Sequence, residues 1–176
     1  MDKGSSGFSD YKGSNDKIIR SEKNSNLQPL KPISNERLDH SNVGEFTKSN
    51  RPNGGGHGQD NIDYMNKNNI PYEINKEYDN GVRVGNLLTS TNKKNRSGNN
   101  HTWFPKNWTL RDICDAANYI ASTYKGIPSP RTLHTGIYRG IRVTIIFGKN
   151  RNISTVFPNK DQEGLQNDKK ANEKID

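Results

Sequence analysis

Apolar positions along this chain recur with two different periods, and in its second half the change falls near Gly126. Over residues 110–124, Ile113, Ala117, Ile120 and Tyr124 are spaced four, three and four apart, which marks one buried face of a helix. Thr109 stands where it can cap that helix, with Asp112 three positions on. Gly126, Pro128 and Pro130 stop it. Residues 133–138, 141–147 and 152–157 then alternate or run apolar between the turns Arg139-Gly140 and Gly148-Lys149-Asn150, a pattern that predicts a three-stranded meander. In its last strand, alternation places Ile153, Thr155 and Phe157 on one face. Upstream, Ile62, Met65 and Asn69 lie at helical spacing behind Asp60 and Asp63, whose carboxylates suit a helix N-terminus. Pro71 closes this helix, and residues 72–78 meet 82–87 across Asp79-Asn80-Gly81 as a hairpin. Residues 88–107 read as a basic loop. Helices packed on a mostly antiparallel sheet define an α+β domain.

Composition sets the limits of that domain. Only 28% of the 176 residues are hydrophobic and the mean hydropathy is -1.10, poor material for a core. Residues 1–52 hold 11 of the hydrophobic positions without sustained period and are expected to be a linker or disordered segment. Residues 161–176 are expected to be a flexible tail, leaving 53–160 as one compact domain with one core. No run approaches a membrane span, and residues 1–17 carry no apolar stretch of the kind a Sec signal needs. The single cysteine, Cys114, excludes an internal disulfide and any multi-thiolate metal site.

Charge is concentrated in the same segment. The chain carries +8, and residues 53–160 alone hold 15 basic against seven acidic residues. A field of that sign selects polyphosphate partners or merely keeps a small protein soluble.

Three clusters hold candidate chemistry. His57 lies among Gly54, Gly55, Gly56 and Gly58, just before a predicted helix, where free backbone amides would suit an oxyanion beside an imidazole. The alternative is an exposed histidine in a flexible joint. Residues 98–108 interleave His101 and Lys106 with Trp103, Phe104 and Trp108, either as a base-stacking surface or as core beneath the long helix. Thr155 is a hydroxyl on an otherwise apolar strand face, either an ordinary strand former or a donor at the mouth of a site. Asp60 and Asp63 form an acidic pair on one helical turn, and capping explains them better than a two-metal site.

The runs Gly54-Gly55-Gly56-His57-Gly58-Gln59-Asp60, Asn80-Gly81-Val82-Arg83-Val84-Gly85-Asn86, Trp103-Phe104-Pro105-Lys106-Asn107-Trp108 and Ile153-Ser154-Thr155-Val156-Phe157-Pro158 occur in an order that resembles the bacterial EndoU family. That resemblance implies a ribonuclease A-like toxin fold and metal-independent, cofactor-free RNA cleavage, with tRNA among the substrate classes. The 2′-OH would attack the adjacent phosphate and leave a 2′,3′-cyclic phosphate. His57 matches the family's glycine-flanked histidine and Thr155 its last-strand threonine. Phe157 stands where many relatives have Tyr, and Gln59 where some have a basic residue. His101 or Lys106 is the expected second catalytic group, on charge and not on a match, while Gln59, Arg83, Trp103 and Phe157 are expected to touch RNA. The resemblance further implies a secreted toxin, delivered to a target-cell cytoplasm by a non-Sec route, monomeric, and neutralised by an acidic immunity protein. A non-catalytic RNA-binding module would share the basic surface without needing His57. A metal-dependent DNase ranks behind both, for want of acids.

Overall fold

Two three-stranded antiparallel sheets and three helices make up residues 31–165, the part of the chain described by the computed structural model. The domain is α+β. In chain order the elements are α1 (Asn35–Asn42), α2 (Gln59–Lys67), β1 (Tyr72–Glu77), β2 (Arg83–Leu87), β3 (His101–Trp103), α3 (Leu110–Ser122), β4 (Leu133–Tyr138), β5 (Ile141–Phe147) and β6 (Ile153–Pro158). The first sheet has the order β1-β2-β3, the second β4-β5-β6.

The strongly periodic segments fold where their sequence places them. Helix α3 opens on a capping box: Thr109 Oγ1 accepts from the Asp112 amide, while the Asp112 carboxylate accepts from the Thr109 amide at 2.8 Å. It buries Ile113, Ala116, Ala117, Ile120 and Ala121 against β4, β5 and β6. Strand β5 is the spine of the meander, with Ile141, Val143, Ile145 and Phe147 buried.

Five expectations change. The tail assigned to residues 1–52 loses its last part to the domain: α1 lies there, capped by Ser34, with Ile33 and Leu38 buried in the core cluster that also holds α3 and β5. Its few apolar residues, Ile33, Leu38, Val43 and Phe46, do not recur at helical spacing, so no periodicity marks it. Residues 1–30 and 166–176 lie outside the described residues. At the other end, Gln162 is buried and bonds Arg142 and Asn80, and Leu165 is buried, so the chain just past 160 still packs on the domain.

The supposed basic loop contains β3, three residues long and wholly buried, which pairs antiparallel to β2. The single core is instead two clusters. The larger joins α1 and α3 to the second sheet, and the smaller gathers Ile62, Met65, Ile70, Leu87 and Trp103 under α2 and the first sheet. Finally, β6 does not alternate throughout. A bulge lets Ile153 pair with Phe147 but Thr155 with Ile146, so the expected common face of Ile153, Thr155 and Phe157 is broken. Ile153 and Val156 point into the core, while Thr155 and Phe157 stay half-buried on the opposite face.

Candidate active site

The glycine run exists because two backbones approach each other closely. The C-terminal end of α1 and the run pair along their length: the amides of Gly56, His57 and Gly58 donate to the carbonyls of His40, Ser41 and Asn42 at 2.9, 2.6 and 3.0 Å. A side chain at Gly55, where φ is +62°, would place its Cβ 1.9 Å from the His40 carbonyl oxygen. A Cβ at Gly58 would lie 1.8 Å from Asn42 Oδ1. This corrects the oxyanion expectation for these amides: those at 56, 57 and 58 are already spent on α1. Further side-chain bonds lock the two segments, from Asn42 Nδ2 to Asp60 at 2.8 Å and from Asn61 Nδ2 to the Val43 carbonyl at 2.8 Å.

The pairing holds His57 half-buried in a defined tautomer. Its Nδ1 lies 2.7 Å from the Thr102 carbonyl oxygen, which can only accept, so Nδ1 carries the proton and Nε2 the free lone pair. Burial, then the neighbouring His101, lower its pKa well below the ordinary histidine value, and His40 adds to the depression; the Thr102 bond opposes it. His57 is therefore neutral at neutral pH and suited to accept a proton.

His101 is the first site residue that the structure removes from the surface. It is buried, its Nε2 lies 2.7 Å from the Gly56 carbonyl oxygen, and burial lowers its pKa to about 4. Its ring stacks on His57 with centroids 4.5 Å apart and meets Trp103 edge-on at 4.7 Å. It is a support behind the catalytic candidate and cannot act as the second acid-base group. Trp103 is likewise fully buried, with Nε1 donating to Asn61 Oδ1 at 2.9 Å, so its indole is core and not a stacking surface. Arg83 is also buried. Its guanidinium donates to Gln59 Oε1 at 2.7 Å and to the Phe104 carbonyl, tying down the two segments that flank His57, since the Phe104 amide bonds the His57 carbonyl at 2.7 Å. Gln59 is engaged at both ends, donating through Nε2 to Asp63 at 3.0 Å.

The opposite wall comes from β6. The Phe157 ring lies 5.4 Å from that of His57, and Thr155 Oγ1 lies 3.2 Å from Ser41 Oγ, which also accepts from the Val156 amide at 3.1 Å. Thr155 and Phe157 therefore join His57 across the two sheets, as their motifs suggest. Lys106 is exposed on the rim of a cavity of about 650 Å³ that Glu77, Asp79 and Arg83 also line but His57, Thr155 and Phe157 do not, and its ammonium has no hydrogen-bond partner among the described residues. Among the described residues no three His, Cys, Asp or Glu side chains gather as a metal site.

The model of the family described as bacterial EndoU nuclease matches residues 34–160. This chain belongs to the bacterial EndoU nuclease family. The match begins at the Ser34 cap, so it includes α1 and agrees with the folded boundary rather than with residue 53. Searches of curated proteins and of solved structures returned no match.

Within this EndoU domain, sequence reasoning missed a further imidazole near His57. His40, in the last turn of α1, points its Nδ1 at Glu45 Oε2 at 2.7 Å, and its side chain is 15% exposed. It is among the groups that depress the His57 pKa, and its carbonyl accepts from the Gly56 amide. The available signal was spacing: a histidine and a carboxylate five residues apart, upstream of the glycine run, in a segment dismissed for its composition. Ser41 was missed for the same reason.

Proposed function

We propose that this nuclease is a metal-independent endoribonuclease in which the substrate's 2′-OH attacks the adjacent phosphate. His57 Nε2 takes the 2′-OH proton as general base. His40, with Nδ1 held by Glu45, delivers a proton from Nε2 to the leaving 5′-oxygen, the role that His101 cannot fill. The P–O5′ bond breaks as the O2′–P bond forms, leaving a 2′,3′-cyclic phosphate and a 5′-OH. Lys106 neutralises charge developing on the phosphorane, and Thr155, positioned by Ser41, orients a phosphate oxygen. Phe157, beside His57, offers an apolar face to a base. The observation that supports this reading is a pair of oriented imidazoles on two backbone-paired segments, His57 neutral by burial with Nδ1 on the Thr102 carbonyl and His40 with Nδ1 on Glu45.

The reading extends to biology through the family resemblance: a toxin acting in a target cell, with RNA, tRNA included, as substrate and an acidic immunity protein covering the basic cleft. Cleavage of a defined RNA in excess EDTA, with end-group analysis, tests the chemistry. Persistent cleavage ending in a cyclic phosphate, and resistance of a strand with one 2′-deoxyribose at the scissile position, are expected. Activity that requires magnesium and accepts the 2′-deoxy strand would overturn the mechanism. RNA binding without any cleavage would leave the non-catalytic module.

A further inference from the structure

A second cavity opens beside the candidate active site, at the far end of the same two elements. It encloses about 410 Å³ and is lined by Pro32, Ser34, Arg37, Gly148, Lys149, Asn152, Ile153 and Ser154. Two of these side chains are cationic, three carry a hydroxyl or amide, and none is acidic. Arg37 is half-buried and spends only its Nε, which donates to the Ser154 carbonyl at 2.6 Å; its two terminal nitrogens have no partner among the described residues. Lys149 is exposed, with no ion pair or hydrogen bond among the described residues.

The cavity is joined to the catalytic centre twice. On α1, Arg37 lies three and four residues before His40 and Ser41, which places all three on one helix face. On β6, Ser154 is the chain neighbour of Thr155, and the Arg37–Ser154 bond ties the two walls together. A polyanionic strand whose scissile phosphate lies between His57 and Thr155 thus meets a second cationic recess without leaving the surface. The chemistry fits an anion of tetrahedral oxygens: guanidinium donors on one side, an ammonium on the other, hydroxyls between, and no carboxylate to repel it.

We infer that this recess is a subsite for a backbone phosphate of the RNA strand adjacent to the scissile one, with Arg37 and Lys149 as its charged contacts. The inference rests on the ribonuclease reading above, but it concerns binding and can be measured without turnover. The probe is a 2′-O-methyl RNA oligonucleotide, which cannot supply the nucleophile, titrated onto the full chain over a range of salt. Removing one phosphate contact should reduce the slope of log affinity against log salt by about 0.7, and Lys149→Gln should show that loss while Lys149→Arg recovers it. A single methylphosphonate linkage beside the scissile position should weaken wild type several-fold and Lys149→Gln no further.

Where cleavage occurs, the advantage of a longer RNA over a dinucleotide with one phosphate, expressed as a ratio of kcat/KM, should shrink in Lys149→Gln. An unchanged salt slope, or methylphosphonate losses equal in wild type and variant at every linkage, would overturn the subsite even if the RNA is cleaved. A subsite that behaves as expected in a chain that cleaves nothing would sink the catalytic reading and keep this one.

Discussion

The two walls of the active site are built by opposite physics. One is β6, the last strand of an apolar meander whose core face is set by Ile141, Val143, Ile145, Phe147, Ile153 and Val156. The other is the pair formed by α1 and the glycine run, which buries little apolar surface and is held by backbone amides, asparagine side chains and the absence of Cβ atoms. Apolar packing is graded, so the first wall should yield gradually to substitution. Hydrogen-bonded close approach is all-or-none at each atom, so the second should fail at single positions. The catalytic candidates His57 and His40 sit on the second wall, and the orienting Thr155 on the first.

The largest effect should come from the polar wall's own chemistry. His57→Ala and His40→Ala are each expected to lower kcat/KM by at least about 10²-fold, with the double variant losing far less than the product, since the two proton transfers belong to one transesterification step. A steady-state comparison of the four proteins checks this. Near-normal activity in a folded His40→Ala would return the acid role to another group and break the comparison at its centre.

Acid should find the polar wall next. His101 is neutral when folded, with its pKa held at about 4 by burial, and His57 is depressed in the same direction. The unfolded chain binds these protons at about pH 6.5. Stability is thus full above that pH and is lost as pH falls towards about 4, by roughly 3 kcal/mol for His101 alone. Denaturant midpoints measured between pH 7 and 4 should fall steadily, and His101→Gln, though weaker at pH 7, should have a flatter dependence. Equal slopes in both proteins would show that His101 is not the titrating support.

A single methyl group tests the close approach. Gly55→Ala combines a positive φ with a clash against the His40 carbonyl, and should cost about 2 kcal/mol and displace both imidazoles. Activity should therefore fall by more than stability explains, which urea unfolding and kinetics on one preparation will separate. On the apolar wall, Ile145→Val removes one buried methyl group and should cost about 1 kcal/mol while leaving kcat/KM within about twofold. If this substitution instead damaged activity as Gly55→Ala does, the two walls would not differ as argued.

What could be read from the chain follows the same division. The meander, α2 and α3 were legible because period marks their buried faces and turn or cap chemistry their ends, as the Thr109 capping box and the Arg139-Gly140 turn do, and the first hairpin was legible from its Asp79-Asn80-Gly81 turn. His57, Thr155 and Phe157 were legible as motifs, and the structure brings those three together. Trp103 and Arg83, placed at an RNA surface on residue type alone, are buried, because an aromatic or a guanidinium in a short strand carries no sign of which side faces water.

By itself, then, the sequence determined the α+β class, the family, and the glycine-flanked histidine with its partner strand. Only the tertiary structure decided which other imidazoles lie near His57 and how each is held. His40 and His101 lie on short polar elements, α1 and β3, whose positions come from bonds to residues distant in the chain and not from any local period. One of them is stacked behind His57 and sealed; the other lies on the segment whose backbone pairs with the glycine run, held by Glu45. Burial is a property of what packs around a side chain, and no pattern within eight or three residues can encode it.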